Sequence, residues 1–232
     1  EISVQRYLID ALGAMAQGLF ASLLMGTILS TIGQQAGWPI LVEVGDFAKS
    51  AAGPAMAVAI AFALKSPALV LFSMVAVGYA ANTLGGAGGP LAVLVVAVFA
   101  AEAGKVVSGE TKIDILVTPL VTILVGCLLS MAWAPAIGAA ATWVGGIIMW
   151  ATELQPFFMG IIVSVLVGIA LTLPISSAAI CAALGLTGLA GGAAVAGCCA
   201  QMVGFAIMSF KENRWGGLIS QGLGTSMLQM GN

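Results

Sequence analysis

The sequence predicts an all-α integral membrane protein whose chain crosses the bilayer many times. Three observations predict it. Hydrophobic residues fill 61% of the 232 positions and charged residues only 7%, against roughly 25% charged in a soluble domain. Seven basic and nine acidic side chains cannot keep a surface of this size wet, so lipid must be its main solvent. Apolar runs also recur at lengths close to the roughly 20 residues a helix needs to span the hydrocarbon layer.

Residues 7–31 read as the first span. Glu43, Asp46, Lys49 and Ser50 make a polar approach to an apolar segment at 54–64. A run at 67–81 is expected to stop at the glycine-rich stretch 82–90, and 91–104 follows. Further segments lie at 113–134, 135–150, 156–173, 174–186 and 193–210, with a second interruption at 187–192. The expectation is about nine to ten segments in one transmembrane domain over 1–232, one or more of them re-entrant or broken. The 31 glycines imply close helix approach, backbone breaks, or both.

A shift of 102 positions brings punctuation residues into coincidence. Pro54 falls on Pro156, Gly86 on Gly188, Gly89 on Gly191, and Glu110-Thr-Lys112 on Glu212-Asn-Arg214. At a shift of 100, residues 23–30 resemble 123–130; at 204, residues 17–24 resemble 221–228. An internal repeat is therefore expected, with halves 8–107 and 110–210, inverted if each copy holds an odd number of spans. Residues 215–232 read as a further helix cut short, with more protein expected beyond.

Net charge is −2 and histidine is absent. No basic cluster offers a footprint for nucleic acid, and the commonest metal ligand and acid–base catalyst is missing. Cys127, Cys181, Cys198 and Cys199 lie in apolar runs without a CxxC pair and read as packing residues. There is no GxSxG, HExxH or Cys/His cluster. No catalytic residue, metal site or cofactor is expected.

The candidate solute site lies at the two interruptions, because repeat-built transporters mark their binding site by breaks at matching positions. Irregular backbone survives in a membrane only inside protein or beside water. Asn82, Thr83, Gly85, Gly86, Gly88 and Gly89 are the candidates at the first break. Ser176 and Ser177 follow Pro174 and can cap a helix or offer hydroxyls. Glu153 and Gln155 precede a helix starting at Pro156, where an acid suits the helix N-terminus. Gln201 must find a partner within an apolar run. Glu43, Asp46, Lys49 and Glu102 are candidates for an ion pathway, although Glu102 and Lys105 also read as an interfacial pair. Trp143, Trp150 and Phe157 could stack on a sugar or anchor at the interface.

Lys65, Lys105 with Lys112, and Lys211 with Arg214 form three basic connections, which the positive-inside rule places in the cytoplasm. Two spans between the first two fit this. Five segments between Lys112 and Lys211 do not, unless 174–192 is re-entrant.

Four stretches carry a resemblance: GYAANTLGGAGGPLAV (78–93), ETKIDILVTPLVTILVG (110–126), LPISSAAICAALGLTGLAGGAA (173–194) and KENRWGGLISQGLGTSMLQ (211–229). They are similar to the bacterial enzyme IIC-like membrane family, described as sugar phosphotransferase subunit IIC or toxin regulator. The resemblance implies a multi-pass protein of the bacterial inner membrane that moves a sugar-like solute while a separate cytosolic phosphocarrier subunit phosphorylates it. Many permeases of that system place His and Glu near the sugar, and this chain departs from the pattern in having no His. A homodimer is expected. An ion channel and a membrane-embedded sensor or regulator without transport are the alternative readings.

Overall fold

The computed structural model describes residues 7, 10–172 and 188–224, and among them every regular element is helical. Helix α1 (Ala11–Leu19) passes through a π turn at Phe20–Leu24 into α2 (Met25–Ala36), giving 26 continuous helical residues. This helix ends where Gly37 takes φ +68, a left-handed conformation open to glycine. Pro39 then opens α3 (Pro39–Ser50), a position where its missing N–H is not needed. Ala51 separates α3 from α4 (Ala52–Ala63).

Together α3 and α4 return along α2 and α1 as one antiparallel hairpin. A Cβ at Gly18 would come 2.6 Å from the Ala55 carbonyl, one at Gly26 2.6 Å from the Gly45 carbonyl, and one at Gly33 2.7 Å from the Val42 nitrogen. Glycine at these places lets the two backbones touch, the usual device where lipid removes any hydrophobic drive for helices to associate.

Helix α4 ends in a Schellman motif: Lys65 takes φ +56, its N–H donates to Phe62, and the Ser66 N–H donates to Ala61 at 3.0 Å. Then α5 (Ala68–Gly85) packs antiparallel on α4, where a Cβ at Gly53 would come 2.5 Å from the Gly78 carbonyl. A 3-10 turn at Gly86–Gly88 leads into α6 (Gly89–Val107), which returns with Gly104 against Val70. Helix α7 (Asp114–Leu154) starts at a local cap, the Asp114 carboxylate accepting from the Gly109 N–H at 2.9 Å and the Thr118 hydroxyl at 2.5 Å. It descends with Gly104 against Thr122, and a Cβ at Gly138 would come 2.5 Å from the Gly85 carbonyl.

Two expectations need correction. Asn82 and Thr83 do not interrupt the chain: they lie in the last turn of α5, and only Gly86–Gly88 leaves α geometry. Nor does Pro135 divide two segments, since α7 runs for 41 residues through Pro119 and Pro135. A proline inside a helix costs roughly 3 kcal/mol, but a chain in lipid that opened its backbone there would strand several polar groups. At 1.5 Å per residue α7 is about 62 Å long, roughly twice the hydrocarbon thickness.

The main core lies among α1, α4, α5 and α6, where Met15, Met56, Ile60, Leu64, Val70, Met74, Val77, Val93 and Val96 are fully buried among alanines. Helix α7 meets it with a stripe at four-residue spacing: Thr118, Thr122, Gly126, Ser130, Ala134 and Gly138. The buried hydroxyls are satisfied within the helix, Thr122 donating to Thr118 and Ser130 to Gly126, both at 2.8 Å. Small, self-satisfied residues bring α7 close enough for dispersion contacts without leaving a polar group bare.

Beyond α7, α8 (Pro156–Thr172) and α9 (Gly188–Met208) run parallel, Ser164 against Gly197 and Gly168 against Gln201. Helix α10 (Phe210–Ile219) kinks at Arg214 (φ 50, ψ −144), and a π turn follows at Ser220–Gly224. Among the described residues five helical stretches are long and apolar enough to cross a membrane: Ala11–Ala36, Ala68–Gly85, Gly89–Val107, Asp114–Ala140 and Gly188–Met208. Two shorter apolar helices, Ala52–Ala63 and Pro156–Ile169, stand beside them.

Candidate solute site

The turn between α5 and α6 is built around Gly86, exposed and at φ +51, ψ −121, a conformation close to one reserved for glycine. On one side of it Gly85 is buried against Ala92 of α6 and Ala134 of α7. On the other, Gly88, Gly89 and Pro90 are buried as α6 begins. Asn82 is half-buried in the last turn of α5, wedged between two helix starts. A Cβ at Gly53 of α4 would come 2.6 Å from its Cβ, and one at Gly89 of α6 would come 2.6 Å from its Oδ1. Thr83 is exposed one residue on.

The parallel N-terminal ends of α4 and α6 thus converge on one side-chain amide. Helix N-termini carry unpaired amides and the positive end of the dipole, and Asn82 adds both a donor and an acceptor. Hydroxyls or an anionic group could be recognised there. Helices α5 and α6 have 18 and 19 residues, about 27–28 Å, so the turn sits at one face of the helix layer.

The other candidates are dispersed. Gly188, the 102-shift partner of Gly86, also has positive φ (+58) and also stands at the start of a helix, α9. Leu189–Gly192 is regular helix, while Thr187 and the serines Ser176 and Ser177 lie outside the described residues. Glu153 falls in the last turn of α7 with its side chain outside the described residues. Gln155, exposed, is the single residue between α7 and α8, its carbonyl accepting from the Met159 N–H at 2.9 Å. Gln201 lies against Gly168, and its Oε1 is buried without a hydrogen-bond partner among the described residues. Trp143, Trp150 and Phe157 are all exposed.

The ion-pathway candidates divide into two places. Glu43 and Asp46 line a shallow groove of about 460 Å³ at the α2–α3 turn, with Gly33, Gln34, Pro39 and Val42. Asp46 pairs with Lys49 at 2.7 Å and accepts from the Ser30 hydroxyl at 3.3 Å. The Lys49 hydrogen bond chiefly, with that of Ser30, holds the Asp46 carboxyl below its ordinary value. Glu102 is at the far end of the main bundle, paired with Lys105 at 2.7 Å, and the same ammonium donates to the Leu64 carbonyl at 2.7 Å.

Two features escaped the sequence reading. Lys105 joins two connections through Leu64, which no local pattern signals. A groove of about 800 Å³ between the N-terminal halves of α8 and α9 is lined by Phe157, Gly160, Ile161, Ser164, Gly192 and Ala196 among others. The spacing Gly160, Ser164, Gly168 could have marked that helix face. Among the described residues no three or more His, Cys, Asp or Glu side chains gather as a metal site would need.

No curated protein and no solved structure matches the chain. The family model for the phosphotransferase system EIIC matches residues 9–232, which takes in every helix of the bundle and the Gly86 turn. A membrane-type helical bundle matched over nearly its whole length makes this chain a member of the phosphotransferase system EIIC family.

Proposed function

We propose that this chain is the membrane permease subunit of a sugar phosphotransferase system, and that its solute is held where α4 and α6 converge on Asn82 beside the Gly86–Gly88 turn. The observation that carries the reading is that convergence: two helix starts and a side-chain amide beside an irregular backbone turn, in a chain of the EIIC family. A small neutral solute rich in hydroxyls suits it, since amides both donate to and accept from hydroxyl groups. Phosphorylation falls to a cytosolic phosphocarrier component of that system, as the family resemblance implies; the residues of this chain include no His. The membrane is the bacterial inner membrane and the working unit a homodimer.

Internal duplication is part of the proposal. Gly86 and Gly188 share positive φ 102 positions apart, each opening a helix. Helices α4 and α6 are parallel, as are their shifted counterparts α8 and α9. One difference stands against a strict copy: the Gly37–Trp38 turn has no counterpart, because the matching positions 137–140 lie inside α7. The second half of the site is then the start of α9, with Gln155, Gln201 and the serines at 176 and 177 as its polar groups.

An ion pathway through Glu43 and Asp46 is the weaker reading, because Lys49 already neutralises Asp46. The test is uptake of radiolabelled hexoses and hexitols by cells carrying the chain with its phosphocarrier partners, against the Asn82→Ala variant. Uptake that falls about tenfold, a loss near 1.4 kcal/mol of transition-state stabilisation, supports the site. Ion flux following membrane potential with no sugar uptake would replace permease with pore. No flux at all, with a partner protein co-purifying, would favour a regulator.

A further inference from the structure

We infer that Lys65, Lys105 and Lys112 mark the cytoplasmic end of the helix layer, so that the Gly86 turn, about midway along α7, faces the external side as the mouth through which solute enters this layer. The second half of this statement rests on the permease reading; the first does not.

The geometry starts from α4, α5, α6 and the first half of α7, which alternate in direction. Lys65 ends α4 and Lys112 lies in the connection from α6 to α7. The Lys105 ammonium, 2.7 Å from the Leu64 carbonyl, ties those connections to one end of the bundle. Lys65 and Lys112 are both exposed there. At the opposite end, about 27–28 Å away along α5 and α6, residues 82–94 and 128–142 carry no charge. Lys49, which precedes α4, is paired with Asp46.

Lysine and arginine in short connections are retained in the cytoplasm during insertion, and acidic residues contribute little to that bias. Glu102, Glu110 and Asp114 at the basic end therefore do not cancel it. From sequence alone the rule was blocked by the segments between Lys112 and Lys211. Lys211 and Arg214 follow α9, which packs chiefly on α8, and the end of the main bundle is assigned without them. The uncharged turn with Asn82, Thr83 and Gly86 is then the part of this layer first met by a solute outside the cell.

The test uses the full chain in intact cells, with the native cysteines replaced by serine or alanine and single cysteines added as Thr83→Cys or Lys112→Cys. A membrane-impermeant maleimide is expected to label Thr83→Cys at once and Lys112→Cys only after permeabilisation. The reversed pattern would overturn the orientation, and labelling of both from outside would overturn the layer. Leu84→Cys and Glu110→Cys, also exposed, give a second pair should either variant fold poorly. A mixture of hexoses and hexitols added outside is expected to slow labelling of Thr83→Cys. Correct sidedness without that protection leaves the orientation standing and overturns the mouth. Correct sidedness and protection with uptake intact in Asn82→Ala would fault the Asn82 site alone.

Discussion

The Lys105 ammonium lies 2.7 Å from the Leu64 carbonyl and 2.7 Å from the Glu102 carboxylate, so one cation closes the C-terminus of α4 while neutralising an acid on α6. A cation at a helix C-terminus meets the negative end of the dipole. Replacing Lys105 with Met removes that ammonium from both the Leu64 carbonyl and the Glu102 carboxylate. The expected cost is about 1–3 kcal/mol, read as a lowered thermal midpoint in detergent. The double variant Glu102→Gln with Lys105→Met should recover part of it.

Lys65 offers the opposite sign. It occupies the left-handed position of the Schellman motif at φ +56, where glycine is the usual resident. Lys65→Gly should therefore raise stability by about 1 kcal/mol. Loss of stability on that substitution would mean the lysine side chain holds something the geometry does not explain.

Glycines in this bundle should not be equally sensitive. A Cβ at Gly138 meets the Gly85 carbonyl at 2.5 Å, whereas one at Gly160 or Gly192 meets nothing within 4 Å. Gly138→Leu is expected to push α7 off α5 and prevent folding, and Gly138→Ala to lower the thermal midpoint markedly. Gly160→Ala and Gly192→Ala should be neutral or slightly stabilising, because alanine is a better helix former by about 1 kcal/mol.

The Asp46–Lys49 pair makes a pH prediction. The Asp46 carboxyl is held below its ordinary value of 3.8, first by the hydrogen bond from Lys49. A depressed carboxyl stabilises the folded state above its unfolded pKa, and that contribution fades as pH falls through the lower folded value. Thermal midpoints of the wild type and Asp46→Asn should therefore differ near neutral pH and converge below about pH 3.8. The effect should be small, since the pair is well exposed and such pairs contribute little.

Helix starts were legible at Pro67 and Pro156, which stand just before and at a helix start, as proline's fixed φ allows; the start at Pro39 went unread. Helix ends were harder. Asn82 and Thr83 looked like a stop, yet the last turn of a helix tolerates both and the chain needed only one positive φ, at Gly86. Pro135 looked like a divider because the rule for soluble helices omits the cost of opening a backbone in lipid. The geometry of the candidate site was half legible. The glycines and Asn82 could be named, but the wedge of Asn82 between Gly53 and Gly89 joins positions far apart in the chain. In a sequence apolar on every face, periodicity cannot say which face turns inward.

The contact of Gly138 with Gly85 has a mechanical consequence. Because two backbones meet there with no side chain between them, the Gly86 turn cannot shift without taking α7 with it. The 16 residues that follow Gly138, up to Leu154, then act as a lever arm of about 24 Å, with α8 attached one residue beyond its tip. Tilting that arm by about 10 degrees would carry its end about 4 Å, given the helix rise. Crowding or emptying of the turn by solute could thus be converted into displacement of the second half of the chain, with Gly138 as the fulcrum.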